Sequence, residues 1–149
     1  MVRKTEYGTE AEKIVLKYLK SKKKKEVFLH GTNGYHFKFG DIQIGTNKNT
    51  CKVIEVKGEG EDFNSETKWD VPRRSVVISK TEYKFLKKYP ERFEIWVVYR
   101  LKYNKNPKWD KPKIAICKGS DLLEQKYEIR NYYIKTPNAF WKNTEQFNP

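Results

Sequence analysis

Cysteine and histidine are nearly missing from this chain: among 149 residues there are two of each. Cys51 and Cys117 lie far apart, each in or beside a β-rich segment, so no zinc-binding spacing exists and no disulfide framework is implied. Buried free thiols in a reducing compartment are the expected state. Long apolar runs are also lacking, and none approaches the ~20 residues needed to cross a bilayer. The opening Met1-Val2-Arg3-Lys4 has no signal-peptide apolar core. These absences lead to the expectation of a soluble, intracellular, cytoplasmic protein. No internal repeat and no Pro/Gly/Ser linker divides the sequence, so one domain spanning 1–149 is expected, with a core at about 8–101 and a β-rich C-terminal extension at 102–149.

Negative charge is in short supply. Lys plus Arg number 32 against 19 Asp plus Glu, a net charge of +13 with a pI near 9.6. A surplus of that size points to a polyanionic partner, nucleic acid before an anionic membrane. Arg is scarce beside Lys, which suits phosphate contact better than base reading, because the bidentate guanine contact favours Arg. DNA is the expected partner, with RNA as the alternative polyanion. What the chain does have is core-forming material: 37% hydrophobic residues and 15% aromatics exclude a disordered composition.

Taken in order, Thr9 reads as the N-cap of a first helix, with Glu10 and Glu12 in its first turn, where the macrodipole favours acids. Ala11, Ile14, Val15, Tyr18 and Leu19 give it an apolar stripe. Glu12 lies at the edge of that stripe and is a candidate to face a site. The helix runs into Lys22, Lys23 and Lys24, candidate phosphate contacts at a helix C-terminus that also satisfy the dipole. Val27–Leu29 and Tyr35–Phe37 read as short β pieces around a Gly/Asn turn. The segment Gly58–Glu66 reads as an exposed acidic loop, and Arg73 and Arg74 as phosphate contacts. Val76–Ile78 is a short strand, followed by the capping-box pattern Ser79-Lys80-Thr81-Glu82 opening a second helix that ends at Pro90. Phe93–Leu101 is too continuously apolar for a half-exposed strand and belongs inside a sheet. Lys113–Cys117 is another strand, Asp121–Lys126 a helical turn or two, and Tyr127–Lys135 is β-like. From Thr136 onward the tail reads as irregular. Helix, hairpin, strand, helix, strand, strand predicts an α/β fold, a mixed central sheet flanked by helices.

The chemistry concentrates in the hairpin. Gly40–Ile44 and Cys51–Gly58 flank a turn-prone Gly/Asn/Thr segment. With the turn centred on Lys48, Asp41 stands opposite Glu55, and like charges so placed destabilise a sheet. A hard divalent cation held by carboxylate oxygens would reverse that penalty. Glu55 and Lys57 share one strand face, while Ile54 and Val56 point to the other. An E-x-K triplet alone is weak, since it recurs at Glu66/Lys68, Glu82/Lys84 and Glu124/Lys126. Here the charges interrupt a β-branched strand, and the preceding strand begins with an acid. Trp69 and Trp109 are read as core or lid packing before base stacking.

Gly40-Asp41 followed by Ile54-Glu55-Val56-Lys57-Gly58 resembles the metal-binding core of the PD-(D/E)XK nuclease superfamily, the restriction-endonuclease-like fold, with Gly40 in place of the proline of the family name. Gly8-Thr9-Glu10-Ala11-Glu12 resembles the first-helix motif of archaeal Holliday-junction resolvases. Ile78–Glu82 through Ile95–Tyr99 resembles the No Vein C-terminal-like domains. The resemblance implies a magnesium-dependent endonuclease hydrolysing DNA phosphodiester bonds, with manganese able to substitute and selectivity for DNA structure as a further expectation. It further implies that Asp41, Glu55 and the Val56 carbonyl ligate the metal, that Glu12 does so through water, and that Lys57 orients the attacking water or stabilises charge on the phosphate. Related resolvases and many restriction enzymes are dimers, so a homodimer is a further expectation. Two other classes stand beside it: a non-catalytic nucleic-acid-binding protein retaining the nuclease fold, and a protein–protein adaptor using an aromatic surface.

Overall fold

In a computed structural model of the chain, residues 4–22, 26–29, 40–47, 49–60, 76–101, 112–125, 127–128, 133–134, 140 and 145–147 are described. Helix α1 (Lys4–Ser21) is followed by strands β1 (Val27–Leu29), β2 (Ile42–Ile44), β3 (Lys52–Gly60) and β4 (Val76–Val77). Helix α2 (Lys80–Lys88) and a 3-10 turn (Pro90–Arg92) lead into β5 (Phe93–Leu101) and β6 (Lys113–Lys118). Helix α3 (Gly119–Leu123) and strands β7 (Tyr127–Glu128), β8 (Tyr133–Ile134) and β9 (Glu145–Phe147) complete the described elements. Six strands form a mixed sheet in the order β1-β2-β3-β5-β6-β9, and β4-β8-β7 form a second, smaller one. Among the described strands of the six-stranded sheet only the β3–β5 pair is parallel, and α2 lies in the crossover between them. The expected mixed α/β architecture is therefore present.

Strand alternation builds a core on each face of the sheet. Ile54, Val56, Trp96, Val98, Ile114 and Ile116 pack with Ala11, Val15 and Leu19 of α1. Cys51, Val53, Phe93, Ile95, Val97, Tyr99, Ala115 and Cys117 pack with Tyr83, Phe85 and Leu86 of α2 and Leu122 of α3. Fully burying each such aliphatic or aromatic side chain contributes about 1.5–3 kcal/mol, so β3 and β5, buried on both faces, anchor the fold. Both cysteines are free and buried, as their positions in β-rich segments suggested.

Several boundaries differ from the sequence expectation. Helix α1 begins at Lys4, so Thr9 is not its N-cap and Glu10 and Glu12 lie inside the helix, beyond the reach of a first-turn dipole effect. Gly8 is tolerated there at a cost of about 1 kcal/mol because the apolar stripe pins the helix to the sheet. Strand β3 continues through Gly60 with a register shift between Gly58 and Gly60, so Glu59 belongs to a strand and is buried, not part of an exposed acidic loop. The tail contributes β9, which pairs with β6 and so draws the C-terminal third into the main sheet. A three-residue edge strand carries no periodic signal and takes its register from its neighbour. Tyr35–Phe37, the remainder of the acidic loop, Trp69, Arg73, Arg74 and Trp109 lie outside the described residues, as do Lys23 and Lys24.

The capping box forms as the sequence indicated: Ser79 Oγ accepts from the Glu82 N–H at 3.1 Å, and Glu82 Oε1 accepts from the Ser79 N–H at 2.9 Å. No helix among the described residues is long and apolar enough to cross a membrane.

Candidate functional site

The β2–β3 hairpin sets the site. Its turn is closed by Thr50 and Cys51 N–H groups donating to the Asn47 carbonyl at 3.1 and 2.8 Å, and Gly45 supplies the positive φ of 98° that ends β2. Ile42 pairs with Ile54, Gln43 with Val53 and Ile44 with Lys52, and the same register carries Asp41 opposite Glu55.

Beyond Ile42, β2 stops while β3 runs on, which deprives the next β3 amide of a ladder acceptor. Asp41 resolves this: its own N–H donates to the Ile54 carbonyl at 2.9 Å, and its Oδ2 accepts from the Val56 N–H at 2.8 Å. A charge-assisted bond of this kind contributes about 1.5–3 kcal/mol. The carboxylate therefore lies along the sheet edge, in place of the expected projection beside Glu55 from one face. Gly40 permits this close approach. A Cβ there would stand 2.5 Å from Val53 Cγ1 and 3.0 Å from the Ile54 carbonyl oxygen. Any side chain at this position would meet the same atoms.

Acids reach Asp41 from both faces. Glu12 comes from α1 and shares a side-chain hydrogen bond with Asp41; burial first, then the Asp41 charge and that bond, push its carboxyl up to about 6. On the opposite face, Glu55 is buried and its Oε1 lies 3.6 Å from Lys57 Nζ. Burial lowers the pKa of Lys57, and the attraction of Asp41 only partly opposes this. The neighbouring acids alone would have kept the ammonium charged more firmly; desolvation wins. Glu82, from the first turn of α2, is buried, and its carboxyl is pushed up to about 7 by burial, with the Ser79 bond lowering it and the Asp41 charge raising it.

Of the expected site residues, the structure gathers Glu12, Asp41, Glu55, Val56 and Lys57 at one sheet edge, and adds Glu82. Sequence reasoning passed over Glu82 because the capping box accounted for it fully; that an acid in a helix whose exposed positions are lysines should cap from a buried position was the signal available. Lys22 is exposed at the end of α1 with its ammonium 5.5 Å from the Tyr18 ring centroid, on the helix end remote from Glu12.

Hard oxygen donors fit a hard divalent cation, and the Asp41 charge that helps raise the Glu12 carboxyl is a repulsion that such a cation would relieve. As placed, no group of three or more His, Cys, Asp or Glu side chains among the described residues is arranged to hold a metal ion, and Glu55 engages Lys57.

The family model described as Protein NO VEIN, C-terminal, matches residues 11–112, a span that includes Glu12, Asp41, Glu55, Lys57 and Glu82. The chain belongs to the NO VEIN C-terminal family. The matched span runs from α1 to the threshold of β6, so every acid of the candidate site lies inside it. No curated protein and no solved structure matches the chain.

Proposed function

We propose that this NO VEIN C-terminal domain is a magnesium-dependent endonuclease acting on DNA inside the cell. One observation carries the reading: Asp41, hydrogen-bonded to the Val56 amide, meets Glu12 at the sheet edge while Glu55 and Lys57 flank it from the next strand. The net charge of +13 supports a polyanionic substrate, and the motif likeness to PD-(D/E)XK nucleases supports the reaction class.

Asp41 and Glu55, with the Val56 carbonyl, would hold the cation, and Glu12 would do so through water. When bound, magnesium supplies a water of lowered pKa and charge stabilisation on the scissile phosphate. The remaining work falls to the chain itself. Asp41 is fixed by its bond to Val56, so little ordering remains to be done at the moment of reaction. Lys57 carries the mobile positive charge of the site: released from Glu55, its ammonium is directed to the oxygens on which charge develops in the pentavalent transition state. Glu12, whose carboxyl burial and the Asp41 charge push up to about 6, would be mostly ionised at neutral pH and able to face a cation through water. Glu82 closes the first turn of α2 through its bonds with Ser79, and its buried carboxyl lies within the influence of the Asp41 charge.

A second reading is favoured by the Glu55–Lys57 ion pair, which occupies two of the required groups: a nucleic-acid-binding protein without catalysis. Incubating the protein and its Lys57→Ala variant with linear, flapped, four-way and RNA substrates separates the two. Magnesium-dependent cleavage that Lys57→Ala abolishes supports the nuclease. Salt-dependent binding indifferent to magnesium and to Glu55→Ala selects the binding protein.

A further inference from the structure

We infer that the outer face of α2 is the track that carries a nucleic-acid backbone to this site. The inference rests on the nucleic-acid reading above and names the surface that realises it. Helix α2 reads Lys80-Thr81-Glu82-Tyr83-Lys84-Phe85-Leu86-Lys87-Lys88. Its apolar residues Tyr83, Phe85 and Leu86 are buried, and its one acid, Glu82, is turned inward. Everything it exposes is cationic or neutral: Lys80, Thr81, Lys84, Lys87 and Lys88. Among the described residues none of these four lysines makes an ion pair, and Lys88 makes only a ring contact, 5.4 Å from the Tyr89 centroid.

Folding stability does not account for the arrangement. Lys87 and Lys88 in the last turn suit the helix dipole, but Lys80 sits in the first turn, where a cation is disfavoured. The pairs Lys80/Lys84 and Lys84/Lys88 stand four apart, and like charges at that spacing destabilise a helix. A phosphate backbone laid along the stripe would reverse both penalties. The stripe also begins where the chemistry is: Lys80 and Lys84 lie two residues on either side of Glu82, whose carboxyl feels the charge of Asp41. Helix α2 thus offers an acid to the site from its inner face and a row of positive charge, about 1.5 Å of rise per residue, from its outer face.

An anionic membrane is the lesser fit. A helix lying in a bilayer interface presents apolar side chains alongside its lysines, whereas those of α2 are committed to the core.

The experiment is binding of a short DNA duplex and a short single strand, without divalent metal, between roughly 50 and 200 mM salt. It compares the parent with Lys80→Gln/Lys84→Gln and, as an equal change of charge elsewhere, Lys13→Gln/Lys17→Gln on exposed positions of α1. Each phosphate contact contributes about 0.9 to the slope of log affinity against log salt on duplex, so the α2 double variant is expected to lose nearly 2 from that slope. The α1 variant is expected to keep most of it. Circular dichroism and the unfolding midpoint check that both variants fold, and the α2 variant is expected to be no less stable than the parent. Equal losses in the two variants, or an unchanged slope in the α2 variant, overturn the track while leaving the nucleic-acid reading in place. Absence of binding to either DNA, with binding to phosphatidylserine-containing vesicles, overturns the track and the nucleic-acid reading together.

Discussion

Replacing Glu82 by glutamine is expected to stabilise the metal-free protein at alkaline pH, although it alters a residue that caps a helix and is buried beside the site. The amide keeps an oxygen to accept from the Ser79 N–H, so the capping box survives the change. What disappears is a charge. The carboxyl is pushed from 4.5 to about 7 in the folded chain, chiefly by burial. The folded state therefore binds a proton more tightly than the unfolded state does, and stability falls as pH rises from about 4.5 to about 7. Above that window the full penalty applies. A gap of roughly two and a half units at about 1.4 kcal/mol each amounts to on the order of 3 kcal/mol. Urea unfolding with a chelator present, at pH 5 and pH 8, is the assay. Glu82→Gln is expected to exceed the parent by roughly 2–3 kcal/mol at pH 8 and by less than about 1 kcal/mol at pH 5. The variant should retain a smaller slope that ends near pH 6, because Glu12 follows the same sign with a carboxyl pushed up to about 6. A variant less stable than the parent at pH 8, or one with an unchanged pH profile, refutes the argument that this acid is held ionised against its surroundings.

Gly40→Ala forces a methyl group against Val53 and the Ile54 carbonyl, so a loss of about 1–3 kcal/mol in urea unfolding is expected. Gly8→Ala is its counterpart: nothing lies within 4 Å of a Cβ there, and the helix should gain up to about 1 kcal/mol. Lys57→Ala should lower single-turnover cleavage by about 100- to 1,000-fold, the scale of removing one group that stabilises developing charge, while magnesium affinity is retained or raised because Glu55 is freed from its ion pair.

Much of this structure is legible in the residues. The hairpin register followed from placing the turn at Lys48, because β2 turns only Ile42 and Ile44 to the core and a slip of a single residue would put Gln43 there instead. The α1 stripe and the interior position of β5 were equally plain from their apolar spacing. The direction of the Asp41 side chain was not: it depends on where β2 stops, and a missing ladder partner is a tertiary fact. Nor was the descent of the Lys57 pKa, since neighbouring charges are visible in a sequence and burial is not. Glu59 reads as part of a loop because Gly58–Glu66 is polar and acidic, yet the strand continues through Gly60 with a register shift and buries it. Glu82 was legible as a cap and silent as a neighbour of Asp41, for the helix that carries it reaches the site only through the crossover between β3 and β5.

The most direct test needs no substrate. Unfolding of the parent and of Asp41→Asn is followed at pH 8 as magnesium is added. If the acids at this sheet edge trap a divalent cation, the parent gains stability with metal concentration, by about 2.7 kcal/mol at a hundred times the dissociation constant, and Asp41→Asn gains little. A parent indifferent to magnesium, or an Asp41→Asn variant that responds as strongly as the parent, contradicts the account.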